Sequence, residues 1–209
     1  MDITNLAAVS VVALVMYVWM RYCLRFLRGE ISPRIATWLI FEIGVVMSLT
    51  SYLASHDHSL IKAALNIADC FQVTIILLVL LFRQGQQRLQ FTPKERFSLW
   101  IAGGAATAWM VTNAGWIGFI GFQTVMSVAY LPTLENLWRR KSGKSPEPLD
   151  KWSINILIAL LGLAVDLTGK RDYLAMIYPL RALILCLLVV GLILRWEQKN
   201  AAVLAGSPR

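Results

Sequence analysis

Residues Tyr130–Trp152 read YLPTLENLWRRKSGKSPEPLDKW, and residues Tyr17–Trp38 read YVWMRYCLRFLRGEISPRIATW. A shift of 113 sets Tyr17 on Tyr130, Leu24 on Leu137, Arg28 on Lys141, Ser32 on Ser145 and Pro33 on Pro146. One further inserted residue sets Trp38 on Trp152. Each copy closes an apolar run, passes through basic residues and a Ser-Pro pair, and enters the next apolar run near a tryptophan. Two more apolar runs follow each copy, ending at Arg83 and at Arg195. The chain reads as an internal duplication.

Composition places that duplication in a membrane. Of the 209 residues, 57% are hydrophobic and 15% charged, with a mean hydropathy of +0.61, against about 25% charged in soluble domains. The charges are clumped and leave seven apolar spans, roughly 5–27, 35–54, 60–82, 96–112, 115–138, 152–168 and 173–195. Each is near the roughly 20 residues that cross about 30 Å of hydrocarbon. The expected fold is an all-α integral membrane protein of seven transmembrane helices. Two parallel three-helix repeats flank a connector, a 3+1+3 order. Residues 1–83 form the first unit, 84–113 a loop and the connector, 114–196 the second unit, and 197–209 a solvated tail. The connector is the least apolar span, with Gly103-Gly104 and several alanines, and small residues there are expected to suit close helix packing.

The basic residues set the orientation. With the N-terminus outside, sixteen of the twenty Lys and Arg fall in the segments facing the cytoplasm, the C-terminal tail included. Lys62, Lys170 and Arg171 face out, and Arg181 lies inside span seven. This positive-inside bias accounts for the net charge of +8 without a nucleic-acid partner. The N-terminal run lacks a basic leader and carries Asp2, so it is expected to remain as a helix. The short loops and small size suggest a bacterial inner membrane.

Several chemistries find no support. Cys23, Cys70 and Cys186 are single apolar-run residues with no CxxC or Cys/His spacing. His56-Asp57-His58 lacks the further ligands a metal site needs. No nucleophile elbow, phosphate loop or HExxH motif occurs, and span seven has no lysine for a retinal Schiff base. No cofactor, metal or catalytic residue is expected.

On these residues the chain resembles the PQ-loop and SWEET superfamily of small transporters. The resemblance rests on Tyr130-Leu131-Pro132, the run Arg139-Arg140-Lys141-Ser142, Ser145-Pro146 and Trp152, with Arg28, Ser32-Pro33 and Trp38 in the first copy. It covers nearly the whole chain in architecture but only these stretches in motif. The family's Pro-Gln dipeptide reads Pro132-Thr133 here, and Trp19 stands where the first copy's helix proline would fall. The resemblance implies a central path lined by the third helix of each unit.

Ionisable groups inside spans are costly, about 2.5–3.5 kcal/mol each on insertion scales, and mark function by default. Glu42, Asp69 and Arg181 are such groups, while Asp166 and Glu135 lie near span ends and read as interfacial. Counted from the two tryptophans, with the two-residue difference in length before Arg83 and Arg195 allowed for, Asp69 aligns with Arg181 and Asn66 with Tyr178. By resemblance, Asn66, Asp69, Tyr178 and Arg181 become candidates for a midplane site. Each pair is spaced three apart and shares a helix face. Gln72 extends the polar face of span three, and Gln123, Ser127 and Tyr130 step along one face of span five. Asp69 and Glu42 are the groups that could couple a proton, and Pro132 and Pro179 the expected hinges. Trp38 and Trp152 read as interfacial anchors.

The function these features lead one to expect is alternating-access transport of a small polar or zwitterionic solute, with the bilayer as the other partner and a monomer sufficient. Two alternatives stand beside it. One is a non-transporting receptor, sensor or accessory subunit on the same scaffold. The other is a membrane enzyme using Glu42 or Asp69 as base. A permanent Asp69–Arg181 pair that only holds the two bundles together is the structural alternative at the site itself.

Overall fold

The computed structural model describes residues 3–31, 33–55, 58–84, 90–139, 148–168 and 172–205. Ser32, His56, Asp57, Arg88, Arg140–Pro146, Lys170 and Arg171 lie outside the described residues. Eight helical segments follow one another, with no strand among the described residues: α1 (Ile3–Leu27), α2 (Ile35–Leu53), α3 (Ala64–Gln84), α4 (Pro93–Thr112), α5 (Gly115–Ala129), α6 (Leu131–Arg139), α7 (Leu149–Leu167) and α8 (Tyr173–Ala205). Helices α5 and α6 form one span interrupted at Tyr130.

Local chemistry sets the breaks. Gly29, at φ 73°, ends α1 in a left-handed turn. There Glu30 N–H bonds the Arg25 carbonyl and Gly29 N–H the Phe26 carbonyl, at 2.9 and 3.0 Å. Thr92 and Glu95 form a reciprocal capping box at the start of α4, with Pro93 in its first turn. Pro132 has no N–H for the Val128 carbonyl, and the chain passes from α5 to α6 through Tyr130, whose N–H bonds Ser127 at 3.1 Å. Helix α8 runs through Pro179 and past Arg195 to Ala205, so most of the expected tail is helical. The first glycine or proline after Gly191 is Gly206.

Five segments are long and apolar enough to cross a membrane: Thr4–Leu27, Ile35–Leu53, Ala64–Arg83, Gly115–Arg139 and Tyr173–Gln198. Helices α4 and α7 fall outside that set and carry charges in their first turns, Lys94, Glu95 and Arg96 on one, Asp150 and Lys151 on the other. The outer surface is apolar, with Leu6, Val9 and Met20 on α1, Trp100 and Met110 on α4, and Leu187 and Leu188 on α8 all exposed. A helical bundle with this exterior is an integral membrane protein.

In the bundle α3 packs on both α1 and α2, and α8 packs on α7 and on α5 and α6. Contacts of α1 with α7 and of α2 with α5 close the ring, and α4 lies outside against α5 and α2. Small residues set the tightest approaches. A Cβ on Gly115 would sit 2.5 Å from the Ser51 carbonyl of α2, and one on Gly121 would sit 2.4 Å from Ala105 Cβ of α4. The small residues of α4 pack closely through the alanines and not through Gly103-Gly104, since both glycines are exposed and nothing lies within 4 Å of a Cβ there. Ala102, Ala105, Ala106 and Trp109 form the face that meets α5 and α2, which turns the two glycines outward.

The described ends of the helices carry different chemistry. At one end Arg21 and Arg25 of α1 share Asp150 of α7, at 2.9 and 3.3 Å, and Arg34 reaches Glu95 at 3.2 Å. Glu135 of α6 pairs with Lys94 of α4 and with Arg139. At the opposite end Tyr52 donates to Asp172 Oδ2 at 2.6 Å, Lys62 Nζ to the Asp166 carbonyl at 3.3 Å, and Thr4 to Thr168 at 3.2 Å.

Candidate functional site

A cavity of about 630 Å³ enters the bundle from the basic end. Its mouth is formed by Glu30, Arg34, Pro148 and Asp150, beside the starts of α2 and α7, and its lining extends inward to Val15, Val45, Leu65, Met126 and Ile158. The polar contacts of Tyr52, Lys62 and Thr4 lie across the far end. The volume lies within the 300–1,000 Å³ typical of small-molecule sites.

At the inner end stand Asp69 and Gln72 of α3 with Tyr178 and Arg181 of α8. Tyr178 donates its hydroxyl to Asp69 Oδ2 at 2.8 Å, and its ring lies 5.0 Å from the Arg181 guanidinium carbon. Asp69 and Arg181 form no direct ion pair among the described residues, so Tyr178 mediates between the two charges. Arg181 donates Nε to Gln123 Oε1 at 2.7 Å. Gln123 donates in turn to Ser48 Oγ at 2.7 Å, and Asn66 donates to the same oxygen at 3.2 Å. The chain Arg181–Gln123–Ser48–Asn66 ties α8, α5, α2 and α3 together behind the cavity wall. Arg181 Nη1 is buried with no hydrogen-bond partner among the described residues.

The expected site residues therefore divide. Asp69, Gln72, Tyr130, Tyr178 and Arg181 line one cavity. Asn66 and Gln123 are buried behind it, at 4% exposure each. Ser127 turns its hydroxyl onto the Gln123 carbonyl of its own helix at 2.9 Å, the back-bonding that spares a helical serine an outside partner. Glu42 sits at the α2–α3 contact, where Thr74 donates to it at 2.8 Å, and it does not line the cavity. Asp166 is fully buried, at 1%, and its Oδ1 lacks a partner, which overturns its reading as an interfacial group. The last turn of α7 points inward, over the beginning of α3. Glu135 is half-buried and ion-paired, as an interfacial group is.

Sequence reasoning missed the aromatic wall. Trp38 and Trp152, taken as anchors, both line the cavity together with Tyr22, Phe41 and Lys151. Their rings run Tyr22–Trp38–Phe41–Tyr130–Trp152 at centroid distances of 5.2, 6.0, 5.5 and 5.8 Å. Lys151 Nζ then lies 4.6 Å from the Trp152 ring and 4.8 Å from the Tyr22 ring, closing the circuit. The signal for these residues was the recurrence of tryptophan at matching places in the two copies.

Behind Arg34 and Thr37 of the cavity lining, buried Glu95 has four donors: Thr92 N–H at 2.7 Å, the Thr92 and Thr37 hydroxyls at 2.8 Å, and Arg34 at 3.2 Å. Burial pushes its carboxyl up, but the hydrogen bonds from Thr92 and Thr37 and the Arg34 charge outweigh that and hold it below its usual range. No group of three metal-ligating side chains occurs among the described residues. Comparisons of the chain with protein-family models, with curated proteins and with solved structures gave no match.

Proposed function

We propose that this chain is a small-solute transporter of the PQ-loop and SWEET kind. It comprises two parallel three-helix units, α1–α3 and α5–α8, joined by α4, and works by alternating access. The observation that carries the reading is the cavity, which enters at the basic end and is lined by Asp69, Tyr178 and Arg181 between the two units. The packing supports the same view. Each third helix touches both other members of its unit, and the contacts α1 with α7 and α2 with α5 exchange when the units are exchanged. With the basic end in the cytoplasm, the cavity faces inward and the far end is shut. Rocking of one unit against the other, with the interruption at Tyr130 and Pro132 and the proline of α8 as flexing points, would open that end.

The test is flux into liposomes containing only this protein. Counterflow of a labelled solute is expected, and it should fall at least tenfold in Asp69→Asn and Arg181→Gln. Undiminished flux in both variants removes the site. Saturable solute binding with no flux for any solute that binds would replace transport by a sensor or accessory role.

A further inference from the structure

Deepening the transporter reading, on which it rests, we infer that the solute is a ring-bearing organic anion, an aromatic carboxylate in its simplest form. The charges around the cavity carry the argument. Of the lining cations, Arg21 and Arg25 are matched by Asp150 and Arg34 by Glu95. Lys151 and Arg181 have no carboxylate within ion-pair distance among the described residues. Among the described residues Lys151 lies over the faces of Tyr22 and Trp152, and Arg181 keeps Nη1 unpartnered. Of the lining carboxylates, Asp150 and Glu30 have arginine partners, and Asp69 is met by the Tyr178 hydroxyl.

The described wall thus holds two unmatched cations against one unmatched carboxylate. Burying a cation without a counter-charge is costly, and an entering anion removes that cost at either position. A neutral solute leaves it in place, and a cation adds to it. The shape of the wall selects a ring. Five aromatic rings in edge or tilted contact, drawn from α1, α2, α7 and the α5–α6 break, form with Lys151 a closed collar between mouth and inner end. A flat ring meets these faces by stacking while its carboxylate reaches Lys151 and then Arg181.

The experiment uses the full-length protein in detergent micelles, with ligand-induced thermal shift and equilibrium dialysis as readouts. The probes are indole-3-acetate, benzoate, cyclohexanecarboxylate, tryptamine and glucose. Indole-3-acetate and benzoate should bind at least tenfold more tightly than tryptamine and glucose, and indole-3-acetate more tightly than cyclohexanecarboxylate. Lys151→Gln and Arg181→Gln should each weaken indole-3-acetate at least tenfold, while Lys62→Gln at the far end leaves it unchanged. Folding of each variant is checked by its unliganded melting curve, and Lys151→Arg, which keeps the charge, should restore most of the binding. Equal or tighter binding of tryptamine or glucose overturns the inference, as does binding of indole-3-acetate that is indifferent to Lys151→Gln. Flux of another solute without anion binding overturns the inference and leaves transport standing. Anion binding with no flux of any solute that binds leaves the anion site standing and overturns transport.

Discussion

Replacing Gln123 by leucine tests the polar chain behind the cavity at its most sensitive point. The two side chains are close in volume, so the change leaves little void and acts through hydrogen bonds. Gln123 is buried at 4% exposure and serves Arg181 Nε and Ser48 Oγ, each at 2.7 Å. The Ser48 bond, between neutral groups within the membrane, contributes about 0.6 kcal/mol. The Arg181 bond is charge-assisted and worth about 1.5–3 kcal/mol, and its loss leaves a second guanidinium nitrogen without a partner. The expected cost is about 2–3.5 kcal/mol. At about 2–4 °C per kcal/mol for a chain of this size, the midpoint in detergent should fall by about 4–14 °C. Gln123→Glu keeps an acceptor for Arg181 and should lose clearly less. A midpoint for the leucine variant within about 1 °C of the parent refutes the reasoning. So does a glutamate variant that is no more stable than the leucine one.

Three further outcomes follow from other places in the fold. Glu95→Gln should cost about 1–2 kcal/mol at neutral pH, because the cap and the Arg34 contact weaken. A carboxyl held low when folded contributes stability above its unfolded pKa of about 4.3 and loses it as pH falls through the lower folded value, so acid melts of parent and variant should converge below about pH 4 and diverge above it. Gly121→Ala, which drives a Cβ to 2.4 Å from Ala105, should lower the melting midpoint, whereas Gly103→Ala, in open space, should raise it by up to about 1 kcal/mol equivalent. Tyr178→Phe removes the donor to Asp69 and should reduce solute flux at least fivefold with little change in the helix content seen by circular dichroism; unaltered flux removes Tyr178 from the mechanism.

The helices were legible because membrane spans announce themselves by length and hydropathy, and because Gly29, Pro93 and Pro132 mark ends by backbone chemistry alone. Asp69, Tyr178 and Arg181 were legible for a related reason, since polar groups in apolar runs stand out and the repeat set them at matching stations. What the one-dimensional pattern lacked was rotation about each helix axis. Gln123, Ser127 and Tyr130 share a face by spacing, yet the interruption at Tyr130 and the back-bond of Ser127 send only the tyrosine to the cavity. Gly103-Gly104 failed in the same way, because small size permits close packing without saying which side a neighbour occupies. Ser48 carried no signal at all: a serine in a helix looks alike whether it caps its own carbonyl or receives two amides from other helices.

The opposite charges of Asp69 and Arg181 bear on how such a chain could have arisen and what can be made from it. Under the proposed duplication, two copies of the first unit alone would bring two aspartates together, and two copies of the second would bring two arginines. Neither self-pairing retains the contact that Tyr178 mediates. The halves have become complementary and no longer interchangeable. Co-expressed as separate polypeptides, they should seek each other and not themselves, with the sign of one charge on each third helix serving as the address.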